Sequence, residues 1–185
     1  MRLLRCAIEQ IADWYVDLFV EPHIVAFVAV ASRYSESPAL LDVECDSIPS
    51  RWHRAASEFR LEISWHRDTA QKAVRLRATM QSGPLVELAA IGVALILSRR
   101  LVNLGPLDVT QLGDRVDFRA REHKAVLEVS GTEIPTELSR RHREKVAQAK
   151  KNPFKWDAYV AICAFAVRGH RVRFSKHPFK EDNDE

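Results

Sequence analysis

The sequence is poor in cysteine and glycine and has no long apolar run, and each shortage excludes a class of protein. Three cysteines, Cys6, Cys45 and Cys163, stand far apart among 185 residues, so neither a disulfide framework nor a zinc site is expected. Widely spaced thiols suit a reducing cytoplasm, which we take as the expected location. The longest apolar run, at 85–98, contains Glu87 and is shorter than the ~20 residues of a spanning helix. We therefore expect no membrane association.

Several catalytic and targeting motifs are also absent. The sequence has no GxxxxGK[ST] segment, which argues against a P-loop nucleotide hydrolase. Ser130 lies in SGT rather than in G-x-S-x-G, which argues against a hydrolase triad. No two of the seven histidines have the HxxxH spacing of zinc enzymes. Glu9 and Asp13 come too early for a secretory signal peptide.

The composition is that of a folded protein with a mild positive charge. Hydrophobic residues make up 46% and charged residues 29% of the chain, so a packed core is expected. A net charge of +3 permits contact with nucleic acid without requiring it. The positive charge is concentrated at 140–155, whereas 181–185 is acidic. The basic segment is interpreted either as a phosphate-binding surface or as a solvated helix face.

The first 80 residues predict a helix and a small, antiparallel sheet. Apolar residues recur at helical spacing over 2–20, and Pro22 ends that helix. The β-branched run at 23–31 predicts a buried strand, with a short helix as the alternative. Residues 32–50 have a loop composition, with a short strand at 40–44. The remaining predictions are a helical turn at 51–57 and a hairpin of strands 59–65 and 74–79, connected through 68–71.

The following residues predict a helix, three strands, a second helix and two more strands. The predicted bounds are 85–101, then 108–111, 115–120 and 124–129, then 136–151, then 157–167 and 170–175. These elements predict an α/β (α+β) fold, in which a mixed central sheet is flanked by helices. We divide the chain into an N-terminal extension at 1–80, a core at 81–177 and an acidic tail at 178–185.

Two acidic residues are predicted to meet on neighbouring strands. Because side chains alternate along a strand, a hairpin through 121–123 brings Asp117 and Glu128 to one face. Two adjacent carboxylates repel unless a cation neutralises them, and oxygen ligands favour Mg²⁺ or Mn²⁺. The alternative is a surface hairpin on which Arg115 and Arg119 pair with the two acids.

Glu87 is the third acidic candidate, because it is the one acid inside the apolar helix at 85–97. An acid among apolar neighbours needs a partner. The alternative is a first-turn glutamate that favours the helix dipole, since Pro84 opens the helix.

The order of these elements and acids resembles the PD-(D/E)XK nuclease superfamily. The resemblance rests on the helix with Glu87, the segments GDRVDF and AVLEVSGT, the basic helix and the apolar strand, and it covers roughly 85–165. It implies an αβββαβ restriction-endonuclease-like core, Mg²⁺ or Mn²⁺ as cofactor, and cleavage of DNA or RNA. It also implies metal ligation by Asp117, Glu128 and Glu87, with Asp114 as the alternative to Asp117.

The sequence departs from this superfamily at the lysine that should follow the glutamate by two residues, where Ser130 stands. Either the site is inactive or another basic group replaces that lysine. Arg141, Lys145 and Gln148 form one helical stripe, so Lys145 can replace the lysine, and Gln148 is similar to a helix glutamine of some members. The alternative for this stripe is an ordinary solvated helix face.

The sequence is compatible with two functions. The first is a nuclease with Glu87, Asp117, Glu128, Ser130, Lys145 and Gln148 as its catalytic site. In that enzyme, basic side chains would contact the phosphate backbone of DNA or RNA, namely Arg140, Arg141, Arg143, Lys150 and Lys151. The second is a catalytically inactive binding or scaffold subunit, with a protein partner or a second copy of the chain. The resemblance also implies a role in defence or nucleic-acid processing.

Overall fold

A computed structural model of the chain describes residues 2–48 and 57–180, which form a mixed sheet flanked by helices. This confirms the predicted fold class. The strands are β1 (Arg2–Ala7), β2 (Ala39–Asp46), β3 (Glu58–Ser64), β4 (Asp108–Val109), β5 (Phe118–Ala120), β6 (Ala125–Thr132), β7 (Asp157–Ala164) and β8 (His170–His177). The α-helices are α1 (Gln10–Trp14), α2 (Glu21–Ala31), α3 (Arg67–Thr79), α4 (Ser82–Val102) and α5 (Leu138–Ala149), and a 3₁₀ turn at Pro135–Glu137 precedes α5.

The strands are ordered β1-β3-β2-β8-β7-β6-β5-β4 across the sheet. Strands β6 and β7 are parallel, whereas β8 returns antiparallel beside β7. Strand β2 pairs in parallel with β8, so the predicted extension and the predicted core contribute neighbouring strands of one sheet. The division at residue 80 stays a prediction about domains. The predicted tail at 178–185 lies mostly outside the described residues.

The predictions for the second half of the chain agree with the structure in type and order. Helix α4, the three strands β4 to β6, helix α5 and strand β7 follow one another as predicted. Strand β8 forms a hairpin with β7 through Gly169, whose φ of 116° suits glycine. Strands β4 and β5 are shorter than predicted, with two and three residues.

Three predictions for the first half were wrong. The predicted helix over 2–20 is strand β1 followed by the short helix α1, because Leu4 and Cys6 also satisfy the twofold period of a strand at the sheet edge. The segment at 23–31, predicted as a strand with a short helix as the alternative, lies in helix α2. The predicted strand at 74–79 belongs to helix α3, which buries Thr69 and Ala73 one turn apart and leaves Val74 exposed.

The remaining predictions in this half agree where they can be compared. Strand β3 has nearly the same bounds as the strand predicted at 59–65. Strand β2 is longer at both ends than the strand predicted at 40–44. Most of the helical turn predicted at 51–57 lies outside the described residues.

Helices cover both faces of the sheet. Helices α2 and α4 pack together over one face and bury the larger apolar cluster. Helix α5 covers the other face over β6 and β7, burying Leu138 and Ala149 against alternate residues of these strands. Although α4 has 21 residues, neither it nor any other helix in the described ranges combines the length and apolarity needed to cross a bilayer.

Candidate active site

The site forms just before the start of strand β5, where one edge of β6 is left uncovered. Phe118 pairs with Leu127, so the same antiparallel register places Asp117 opposite Glu128. The Asp117 amide donates to the Leu127 carbonyl at 3.1 Å. Among the described residues, this is the last backbone–backbone hydrogen bond between this segment and β6. Beyond Glu128, the rest of β6 pairs with β7 on one side, and on the other side no described strand replaces β5.

Two carboxylates accept the N–H groups that this uncovered edge exposes. Alternate amides of a strand point to the same edge, and here they belong to Val129 and Gly131. Asp117 Oδ2 accepts the Val129 N–H at 2.7 Å, and Glu87 Oε2 accepts the Gly131 N–H at 2.8 Å. The two acids therefore replace a missing strand, which holds them in place beside Glu128.

Gly131 allows the first turns of α4 to lie directly against β6. A Cβ atom built on Gly131 would overlap the carbonyl of Val86, the residue before Glu87. The contact between Glu87 and the strand therefore depends on a residue without a side chain.

We expect Gly131→Ala to lower the free energy of unfolding by about 2 kcal/mol, because the added methyl group must push α4 away from β6. Gly83→Ala is the matched control, since a Cβ atom there meets nothing within 4 Å. Urea denaturation of both variants measures the difference. Equal stability of the two variants would contradict the close approach of α4 to β6.

Glu128 is the most buried member of the site, with 1% of its surface exposed. Lys145 Nζ donates to its Oε1 atom, and Gln148 Nε2 donates to the same atom at 3.1 Å. Gln148 Nε2 also lies 3.0 Å from the Arg115 carbonyl, which fixes the amide between α5 and the chain before β5. The Oε2 atom of Glu128 is buried without a hydrogen-bond partner among the described residues.

Burial is the largest cause of the raised pKa of both central carboxyls. Desolvation is the largest cause for Glu128, followed by the charge of Asp117, and together they raise its pKa to about 7 although Lys145 opposes the shift. Burial also raises the pKa of Asp117, against the Val129 N–H and the charge of Lys145. Negative charge at this pair is therefore costly, and a cation would stabilise it.

The other predicted residues are placed as follows. Ser130 Oγ donates to Glu87 Oε1 at 3.2 Å, so Ser130 joins the site through Glu87. Asp114 lies apart from this contact, and its Oδ2 accepts the Gln111 N–H at 2.9 Å within a loop. The structure thus brings Glu87, Asp117, Glu128, Ser130, Lys145 and Gln148 together and favours Asp117 over Asp114.

The alternative of a surface hairpin with arginine-paired acids does not fit the structure. Arg119 pairs with Asp108 at 3.4 Å and lies over the ring of Phe154. Arg115 contacts the site through its carbonyl, as the Gln148 bond shows. The buried acid at 128 is instead paired with Lys145.

The predicted phosphate-binding arginines of α5 are mainly paired with acids of that helix region. Arg140 pairs with Glu137 at 3.0 Å and with Glu144 at 2.8 Å. Arg141 pairs with Glu137 at 2.9 Å, and it also reaches Gly131 O at 3.2 Å and Ser130 Oγ at 3.4 Å. Sequence reasoning placed Arg141 on the stripe with Lys145 but missed this direct contact. Arg143 is exposed in the middle of α5, and Lys150 and Lys151 are exposed directly after its last residue.

A divalent cation would have few side-chain ligands here. Within 2–48 and 57–180, no group of three or more His, Cys, Asp or Glu residues is arranged to hold a metal ion. Both Glu87 oxygens already accept hydrogen bonds, so Asp117 and Glu128 are the better ligands. Two carboxylates fit Mg²⁺, which commonly takes its other ligands from water and substrate phosphate. The unpartnered Oε2 of Glu128 is consistent with such an ion.

Comparison of the chain with protein-family models, curated proteins and solved structures found no match.

Proposed function

We propose that the protein is a metal-dependent nuclease that cleaves phosphodiester bonds of DNA or RNA. The observation that carries this proposal is the buried Asp117–Glu128 pair with Lys145 in direct contact with Glu128. Paired acids and a lysine are the groups that phosphodiester hydrolysis needs, since negative charge develops on the phosphate in the transition state. Defence and nucleic-acid processing are the proposed biological settings.

Asp117 and Glu128 are the proposed ligands of Mg²⁺ or Mn²⁺. When bound, such an ion would activate water and stabilise charge on the phosphoryl oxygens. The raised pKa of Glu128 supports this assignment, because burying two acids together is costly without a cation.

Lys145 is proposed to occupy the role of the lysine that Ser130 replaces. It comes from α5 rather than from β6, and Gln148 holds the same oxygen of Glu128 one turn later. A lysine in contact with one acid of the pair can stabilise the negative charge on the phosphate in the transition state. Glu87 and Ser130 are positioning residues in this proposal, because Glu87 accepts the Gly131 N–H near the end of β6 and Ser130 Oγ donates to Glu87.

Lys145→Met should lower metal-dependent cleavage by about 100-fold, since one preorganised cation is removed from the transition state. Lys145 lowers the pKa of Glu128, so its removal should also move the acidic limb of the pH–rate profile to higher pH. Single-turnover cleavage rates across pH measure both effects. A drop in rate with an unmoved profile would separate Lys145 from Glu128, and Lys72→Met on the exposed face of α3 is the control.

The second candidate is an inactive scaffold subunit. It is favoured by the hydrogen bonds that the acids of the site already make to other protein groups. Asp117, Glu87 and Glu128 each have protein partners already, and Ser130 stands at the lysine position. In this case the network only stabilises the edge of β6, and the protein acts by holding a partner protein, nucleic acid or a second copy of itself.

Three measurements on the purified protein separate the candidates. The first is cleavage of circular single-stranded DNA, plasmid DNA and RNA with Mn²⁺, with EDTA as the blank. The second is calorimetric titration with Mn²⁺. The third is size-exclusion chromatography with light scattering, which detects binding of a second copy of the chain. Metal-dependent cleavage supports the nuclease. Absence of Mn²⁺ binding together with absence of cleavage would reject it in favour of the scaffold.

A further inference from the structure

A lysine-rich groove lies on the other side of helix α5 from the acid pair. It has a volume of about 1050 Å³ and runs between the end of α5, the end of β2 and the end of β8. Its lining includes Lys150, Lys151, Lys155, Lys176 and Lys180. Two of these follow α5, one lies before β7, and two lie at or after the end of β8, so three chain segments converge with the same charge.

Most of this positive charge is not neutralised by the described residues. Lys176 pairs with Asp157 at 2.8 Å, whereas the other four lysines make no ion pair within the described ranges. Asp46 is the acidic residue in the lining. An open groove with this excess of ammonium groups attracts a polyanion.

Two aromatic side chains lie in the same groove between the lysines. Trp156 and Phe179 line it, and both are partly exposed. The ring of Trp156 packs at 5.3 Å from that of Phe154, and the Phe179 amide donates to Asp157 at 3.0 Å. These contacts hold both aromatic residues at the groove, where each follows or precedes a lysine of the lining, Lys155 and Lys180.

We propose that this groove binds single-stranded nucleic acid, with the lysines on the phosphate backbone and Trp156 and Phe179 stacking on unpaired bases. A basic track with interleaved aromatic rings is the arrangement by which proteins hold single strands without reading sequence. An acidic peptide would use the lysines but not the rings, and a duplex keeps its bases stacked inside. The combination of both features therefore favours the single strand.

The groove is separate from the proposed cleavage site. A residue two positions along an α-helix is turned by about 200°, so Ala147, which lines the groove, and Lys145, which contacts Glu128, point to opposite sides of α5. The proposal requires binding only, and it holds whether or not the acid pair cleaves anything.

The test is fluorescence anisotropy of a labelled 20-nucleotide oligothymidine with the full chain in EDTA. The variant Lys150→Glu/Lys151→Glu/Lys180→Glu is expected to bind roughly 100-fold more weakly at 0.1 M salt, because losing three phosphate contacts lowers the salt slope by about 2. The control Arg75→Glu/Arg77→Glu/Arg168→Glu changes the net charge equally on exposed positions elsewhere and should bind far more tightly than the groove variant. EDTA removes divalent ions, so the anisotropy measures binding separately from any metal-dependent cleavage.

Further arms test the choice of partner. Phe179→Leu is expected to weaken oligothymidine binding about tenfold, since base stacking on an aromatic ring is lost. A 20-base-pair duplex and polyglutamate should each bind more weakly than oligothymidine. Equal binding by the groove variant and its arginine control overturns the proposal, as does tighter binding of the duplex or of polyglutamate than of the single strand. Thermal melting of every variant excludes unfolding as the cause.

Discussion

Cleavage by a Glu128→Gln variant is expected to be on the order of 1,000-fold slower than that of wild type, which corresponds to about 4 kcal/mol of lost transition-state stabilisation. The glutamine keeps the size and one acceptor oxygen for Lys145 and Gln148, so the fold should be retained. It removes the charge that a divalent ion would bind beside Asp117. Single-turnover cleavage of circular single-stranded DNA with Mn²⁺ measures the effect.

Two further variants make this result specific. Asp117→Asn should lose activity to a similar extent, and the double variant should lose little more, because the two acids act on one ion. Glu122→Gln is the matched control, since Glu122 is exposed in the turn between β5 and β6. If cleavage persists in the double variant at the wild-type rate, the acid pair is not the catalytic site.

The second half of the fold was predictable because its elements have clear signals. Helix α4 is apolar over many turns, with Pro84 in its first turn and Gly105 just beyond its end, and β7 is apolar after Asp157. Alternation along β5 and β6 was sufficient to pair Asp117 with Glu128, since a hairpin with one register leaves few choices. The helical stripe of Arg141, Lys145 and Gln148 followed from spacing alone.

The first half was predicted poorly because its local pattern is ambiguous. Helix α2 is buried over residues 24–31, so its sequence has no polar face from which a helical period can be recognised. The edge strand β1 has only six residues, and its partner β3 lies more than fifty residues away in the sequence. Packing of α2 against α4 and the pairing of β1 are tertiary effects that override propensity.

The details of the site could not be derived from the sequence either. The roles of Asp117 and Glu87 as acceptors for the amides of β6 depend on β5 being three residues long, which no residue pattern indicates. The contact between Arg141 and Ser130 depends on the height of α5 above β6. Such contacts depend on how the helices pack on the sheet. The pairing of Asp117 with Glu128, in contrast, could be predicted from the alternation of side chains along the two strands.

The free energy of unfolding of the metal-free protein is expected to fall with rising pH, because the two buried acids then become charged. The pKa of Glu128 rises from 4.5 to about 7 in the folded protein. The folded state therefore holds this proton more tightly than the unfolded chain, and the free energy of unfolding falls as pH rises through this range. A shift of this size is worth about 3 kcal/mol, and the raised pKa of Asp117 acts in the same direction.

Buried histidines act in the opposite direction and must be separated from this effect. Burial lowers the pKa of His142 to about 4, so His142 adds stability as pH rises from 4 to 6.5. Wild type and Glu128→Gln share this contribution, and it cancels in their difference. We therefore expect urea denaturation in EDTA to show wild type losing about 3 kcal/mol relative to Glu128→Gln between pH 4.5 and pH 8.

Adding Mn²⁺ at pH 8 should reverse that loss if the acids are metal ligands. A metal ion at 100 times its dissociation constant stabilises the folded state by about 2.7 kcal/mol, provided that it does not bind the unfolded chain. Wild type should gain this stability, and Glu128→Gln should gain little, because the neutral amide is a weak ligand. If both proteins respond equally to Mn²⁺ while the pH difference persists, the raised pKa of Glu128 reflects burial and the nearby charge of Asp117. The pair then stabilises the edge of β6 without binding an ion.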